Sequence, residues 1–170
     1  LEWLNTTKSR RAPGVKFEYN NSGYATLSLI IERVSGQTYS TYLKKHLFQP
    51  AGMTLTVISD GSAELPAGTV KGYLTTARGK VRPSSSPTII TGDGNIYTSI
   101  REFAKWDAAM WRHGVLNEAS QSKAWSNGTL NKGLPISDDE GDGYGCGWVI
   151  DPGRPLVSHT GSWNGTSTCV

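Results

Sequence analysis

The chain has 170 residues, with 17 Lys and Arg against 14 Asp and Glu and a formal net charge of +3. Hydrophobic residues at 36% and charged residues at 18% fit one folded domain or most of a larger one. They exclude intrinsic disorder, which needs low hydrophobicity with high net charge. The longest apolar run, around Leu27 to Ile31, is far short of a bilayer span, and the 20 Gly and 8 Pro follow no collagen-like period.

Residues 1–12 are polar and basic and read as a loop or the end of an earlier helix. Pro13-Gly14 marks a turn, and the alternation from Val15 to Tyr19 predicts a short extended segment that delivers Tyr19 to the next turn. Tyr24, Leu27, Ile30, Ile31 and Val34 then fall three or four apart on one helical stripe. Asn21 or Ser22 can cap that helix and Gly36 can end it. A second helix over Tyr39 to Phe48 is expected to bury Tyr42, Leu43 and Leu47 and to stop before Pro50.

From Thr54 to Thr91 the periodicity fades under turn formers, among them Asp60-Gly61, Pro66, Gly68, Arg78-Gly79, Pro83 and Pro87. An irregular stretch of that length inside a compact domain tends to line something functional. Ser99-Ile100-Arg101-Glu102 has the form of a capping box, opening a helix that buries Phe103, Trp106 and Met110 and ends at Gly114. A shorter helix covers Glu118 to Trp125. Tyr144 to Ile150, the turn Asp151-Pro152-Gly153 and Leu156 to Thr160 read as a β-hairpin. Helices first and strands last, with no βαβ alternation and no internal repeat, give an α+β class.

Few residues offer chemistry. Lys44-Lys45 and Arg10-Arg11 are the only adjacent basic pairs, so the clustered basic face that nucleic acid needs is missing. Cys146 and Cys169 form no CxxC and have no His at ligand spacing; two buried free thiols are the plainer reading, with a disulfide the alternative. The run Asp138 to Gly143 imitates the start of a calcium loop, but its twelfth position would be Val149, which has no carboxylate. Gly92-Asp93-Gly94 lacks the third glycine and the preceding strand of a dinucleotide loop.

His46 and His113 fall near helix C-termini, where a partial positive charge suits the dipole. His159 instead ends a predicted strand and precedes Thr160-Gly161-Ser162, a plausible anion or oxyanion cradle. By itself that triplet is weak, and a satisfied structural histidine is the plainer reading. Tyr19 and Asn21 place a phenol and a carboxamide side by side. With a reference pKa of about 10, a phenol is a poor base unless nearby cations stabilise the phenolate.

Pro13-Gly14-x-x-Phe17-x-Tyr19-x-Asn21-x-Gly23-Tyr24 resembles the second motif of the serine β-lactamase and penicillin-binding-protein-like superfamily. Ile30-Ile31-Glu32-x-Val34-Ser35-Gly36, Leu47-Phe48-x-Pro50-x-Gly52-Met53 and Gly92-Asp93-Gly94-Asn95-Ile96-Tyr97-Thr98-Ser99 continue the resemblance in family order. Tyr144-Gly145-x-Gly147-Trp148 and Ser158-His159-Thr160-Gly161 are similar to its closing strand pair. The resemblance implies a helical domain packed on an antiparallel sheet. Residues 13 to about 140 would supply most of the helical and loop part, and 143–170 the start of later strands.

It also implies acyl transfer through a covalent serine ester on an amide, lactam or ester bond. Tyr19 would be the general base, and His159 would stand where many relatives carry lysine. Asn21 would bond the substrate amide, Thr160 and Gly161 would line the substrate's strand edge, and the Ser162 N–H would be an oxyanion donor. No metal or organic cofactor is implied. The implied partner is a small-molecule or peptide substrate, and the implied setting a bacterial periplasm, cell surface or medium. His-Thr-Gly is nearer the D,D-peptidase, D-aminopeptidase and esterase relatives than dedicated β-lactamases.

The departures from the pattern are informative. No Ser-x-x-Lys precedes Tyr19, and the one such string, Ser120-x-x-Lys123, falls in a predicted surface helix and reads as chance. The chain opens at Leu1 without an initiator Met and stops at Val170 as a strand-like run begins, so a fragment is expected. The rival expectation is a non-catalytic homologue that holds peptidoglycan or peptide in the same cleft.

Overall fold

A computed structural model describes residues 6, 8, 11–60, 64–84 and 90–170. The reading of residues 1–12 falls largely outside them, as do the turns at Gly61 and Pro87. The chain divides into two compact units: Leu1–Tyr19 with Ser122–His159, and Asn20–Gln121 with Thr160–Val170.

The second unit opens with helix α1, Asn21–Ser35. Its cap is Asn20, one residue before the expected pair. The Asn20 side chain accepts from the Gly23 N–H at 3.1 Å, satisfying a donor that a helix start leaves orphaned. Gly36, at φ 67°, ends the helix in the left-handed region, its N–H donating to the Glu32 carbonyl. Ser28 is the buried residue of α1, and its Oγ donates to the Thr91 carbonyl at 3.0 Å. The expected apolar stripe is not buried: Leu27, Ile30 and Val34 are 51%, 51% and 82% exposed. Periodicity says which residues share a face, not which partner covers it.

Glu32 bridges to α2, Tyr39–Leu43, its Oε1 accepting from the Tyr39 N–H at 2.8 Å. Burial, and then the nearby Asp93 carboxylate, raise the Tyr39 phenol pKa. The expected second helix keeps its bounds but widens into a π turn over Lys44–Phe48 ahead of Pro50. Leu43, Phe48, Ala51, Met53 and Ala109 form the core of this unit, with Tyr42, Leu47 and Trp106 packed against it.

Ala109 belongs to α3, Ile100–Trp111, where Ser99 Oγ accepts from the Glu102 N–H. The Glu102 carboxylate does not close the expected capping box. It is buried and accepts from the Leu55 N–H at 2.8 Å, with Lys105 as its ion-pair partner. The Lys105 bond first, then the Leu55 N–H, hold its pKa below the usual carboxylate range. Met110 is buried as expected, Phe103 and Trp106 only half-buried. Helix α4, Glu118–Ala124, follows.

The stretch from Thr54 to Thr91 is less irregular than expected. Strand β1, Val57–Ile58, pairs antiparallel with β4, Ile96–Tyr97. Strands β2, Gly72–Thr75, and β3, Val81–Ser84, form a hairpin closed by a turn through Arg78-Gly79. At the chain's end β8, Thr160–Trp163, and β9, Thr166–Cys169, form another hairpin. Its two-residue loop is Asn164-Gly165, at φ 49° and 71°, as a type I′ turn requires. That loop lies directly on β2. A Cβ at Gly72 would overlap the Asn164 carbonyl, and one at Gly165 would overlap the Tyr73 backbone.

The first unit carries a three-stranded antiparallel sheet ordered β5, Gly143–Tyr144, β6, Val149–Ile150, and β7, Val157–Ser158. The expected hairpin is β6 with β7, in register Val149 with Ser158 and Ile150 with Val157. Asp151 shapes its turn, Oδ1 accepting from the Gly153 N–H at 2.8 Å while Oδ2 pairs with Arg154. Cys146 and Cys169 are free, as the plainer reading had it, but exposed rather than buried. Short strands and turns leave little interior in which to place a thiol.

Candidate active site

Pro13-Gly14 is tied down by Asn131, whose N–H donates to the Gly14 carbonyl at 2.8 Å and whose Nδ2 donates to the Pro13 carbonyl at 3.0 Å. From that anchor the chain runs without regular structure through Phe17 to Tyr19, while Glu18 pairs with Arg11 at 2.7 Å. The anchored turn leads into Tyr19, but the expected extended segment forms no strand: Val15 and Lys16 lie in a bend and the residues after them are irregular. Tyr19 is 52% exposed.

His159 follows β7 and is half-buried. Its ring centroid stands 5.9 Å from that of Tyr19, the rings tilted by 40°. The two residues singled out for proton chemistry therefore lie side by side within one unit. Asn21, Thr160, Gly161 and Ser162 belong to the other unit. Asn21 is the first residue of α1, and the other three lie exposed on β8, opposite Cys169, Thr168 and Ser167.

A further hydroxyl completes the first unit's cluster. Tyr144 on β5 is 7% exposed, and its OH lies 3.0 Å from His159 Nε2, a hydrogen bond in which either atom can donate. Tyr19 meets the Tyr144 ring edge-on at 6.0 Å, and Phe17 packs against it at 5.0 Å. The backbone of Tyr144 is held from both sides. Its N–H donates to Asn127 Oδ1 at 3.0 Å, and its carbonyl accepts from the Gly128 N–H at 2.9 Å. Gly145 brings the chain close to the end of α4, where a Cβ would strike the Ala124 carbonyl.

In the sequence Tyr144 stands only as part of the strand pair that resembles the family's closing one. A usable signal was there: an aromatic with a polar handle, between two glycines, on the hairpin that carries His159.

The arrangement groups two phenols and an imidazole, each ring about 6 Å from the other two, with one phenol hydrogen-bonded to the imidazole. Such a set can stabilise a phenolate, relay a proton or bind an anion. Ser120 and Lys123 are exposed on α4, as expected of a chance match. Among the described residues no cluster of three or more His, Cys, Asp or Glu side chains could hold a metal, and no helix is long and apolar enough to cross a membrane. Asp138 uses Oδ1 to accept from the Glu140 and Asp142 N–H groups, which makes the acidic run a self-bonded turn.

Fold and motifs together place the chain in the beta-lactamase family, which it matches over residues 1–170. It is 31% identical to penicillin-binding protein 4* of Bacillus subtilis (strain 168), covering 93% of this chain and 37% of that protein. It is 24% identical to a D-aminopeptidase of Gluconobacter oxydans (strain 621H), over 90% of this chain and 28% of that one. The crystal structure of a penicillin-binding protein from Bacillus halodurans superposes with a TM-score of 0.77 at 28% identity, covering 94% of this chain and 49% of that chain. The α+β class and the β-lactamase/transpeptidase-like fold are those expected. The chain spans between about a quarter and a half of the length of these relatives.

Proposed function

We propose that this chain is part of a serine hydrolase that cleaves amide, lactam or ester bonds through an acyl-serine intermediate. The observation that carries the reading is the adjacency of Tyr19 and His159, 5.9 Å between ring centroids, in a chain of this family. The nucleophilic serine is proposed to lie in sequence that the longer relatives have and this chain does not span.

In the proposed reaction Tyr19, as phenolate, takes the serine proton as Oγ attacks the carbonyl carbon. It hands that proton to the leaving nitrogen or oxygen as the scissile bond breaks. Water then attacks the acyl-serine, giving its proton to Tyr19 and finally to the serine Oγ. His159 stabilises the phenolate and the anionic end of the substrate. The resemblance assigns Asn21 to the substrate amide, Thr160 and Gly161 to a strand edge for the substrate, and the Ser162 N–H to the oxyanion.

Histidine ahead of Thr160-Gly161 favours small peptides and amides of D-amino acids over lactams as substrates, and the named D-aminopeptidase relative supports this. Bacterial penicillin-binding relatives support a site of action at the cell envelope. The rival reading is a binder that holds peptide without cleaving it; a complete reading frame with no Ser-x-x-Lys ahead of Tyr19 would favour that reading.

Covalent labelling of the protein encoded by the complete reading frame separates the two. A fluorescent penicillin, with D-amino acid amides as competing substrates, should leave an adduct on one serine. Reversible peptide binding without any adduct or turnover would establish the binder instead.

A further inference from the structure

We propose that Tyr144 is a positioning residue that keeps the neutral His159 ring protonated at Nδ1, so that His159 serves the site as a hydrogen-bond donor and not as a base. The proposed role of His159 in acyl transfer rests on the reading above; the tautomer itself does not.

The Tyr144 hydroxyl stands 3.0 Å from His159 Nε2. A neutral imidazole has one N–H and one lone pair, and the partner of one nitrogen decides where the proton sits. At ordinary pH a phenol keeps its proton, with a reference pKa of about 10, and donates it to the better acceptor, here the Nε2 lone pair. The ring proton then belongs on Nδ1.

Tyr144 is built for this constancy. Its ring is buried, packed by Phe17 at 5.0 Å and met edge-on by Tyr19 at 6.0 Å. Its backbone N–H is fixed on the Asn127 side chain and its carbonyl on the Gly128 N–H. A phenol oxygen fixed in this way stays on His159 Nε2. The base in the site is then Tyr19, and His159 supports the phenolate through an N–H dipole in place of the full charge that a lysine would bring.

The test is nitrogen NMR of the imidazole in the complete protein. With only three histidines in this chain, His159 is identified by its loss in His159→Asn. We expect the Nδ1–H tautomer in the wild type and a shift of proton population toward Nε2 in Tyr144→Phe, which removes the hydroxyl and keeps the ring. Acylation by the penicillin probe should fall about tenfold in that variant, the worth of one hydrogen bond to a functional group.

A wild-type His159 protonated at Nε2 when neutral overturns the inference without any variant being needed. So does an unchanged tautomer in a folded Tyr144→Phe protein. Wild-type protein with the Nδ1–H tautomer but no acylation by any probe overturns the hydrolase reading and leaves the role of Tyr144 standing.

Discussion

Asn127 holds the backbone of Tyr144 with one end of its amide and the chain at Ile136 with the other, Oδ1 accepting at 3.0 Å and Nδ2 donating at 2.8 Å. A carboxamide is the side chain that can accept and donate at once in so small a volume. Replacing it with alanine removes both bonds, although water can reach the Ile136 carbonyl. Asn127→Ala should lower unfolding free energy by about 0.5–1.5 kcal/mol, the net worth of a hydrogen bond that solvent can partly replace. Urea unfolding of the complete protein measures this, and a midpoint equal to wild type would argue that water replaces the amide.

Tyr19→Phe keeps the ring against Tyr144 and removes the proposed base. Acylation by a reactive probe should drop about 10²–10⁴-fold, the usual worth of a positioned general base, with little change in thermal stability. Near-normal acylation would remove Tyr19 from the mechanism.

Glu102 makes stability depend on pH. Its pKa in the folded chain is lowered, by the bond to Lys105 and then by the Leu55 N–H. The unfolded chain therefore takes up a proton first as the pH falls. The contribution of Glu102 is complete above the ordinary carboxylate pKa and is lost as the pH drops through that value and on through the lower folded one. Glu102→Gln should therefore flatten the acid side of the stability curve. Denaturation midpoints between neutral pH and pH of about 3 test this; the same acid slope in both proteins would assign it to other carboxylates.

Both thiols are exposed, at Cys146 and Cys169. A maleimide should therefore modify two cysteines of the native chain without denaturant. Labelling that appears only after unfolding would contradict the exposure.

Leu27, Ile30 and Val34 leave an apolar face of α1 in solvent. Large exposed apolar patches drive association, so the 170 residues expressed alone should self-associate and bind a hydrophobic dye. Ile30→Glu with Val34→Lys should reduce both. A sharp, reversible melt of the unaltered chain at high concentration would contradict this.

Much of this organisation was legible in the sequence. Apolar spacing located α1 and α3, Pro50 placed the end of the second helical run, and Asp151-Pro152-Gly153 placed the turn between β6 and β7. These signals act locally, through capping, propensity and turn chemistry. The β2–β3 hairpin escaped because most of its residues face solvent and Pro83 reads against a strand, so no alternation forms. Asn164-Gly165 carries a strong hairpin signal, a pair suited to the positive φ angles of the β8–β9 loop. Other features depend on tertiary context: the turn of Glu102 toward Leu55, and the exposure of Leu27 and of both thiols. Within the candidate site, Tyr19 and His159 were nameable from a motif. Tyr144 was not singled out, because its hydroxyl gains meaning only once β5 sets it against the imidazole.

The contact of Gly72 with Asn164, and of Gly165 with Tyr73, bears on how this chain tolerates change in length. Tips of two-residue hairpins are ordinarily where peptide tags, inserted domains and new termini are accepted most readily. Here that tip rests on another strand with no side chain between the two backbones. A residue added between Asn164 and Gly165 would have to displace β2, so loop grafting should fail there while the Thr76–Lys80 turn at the far end of β2 accepts it.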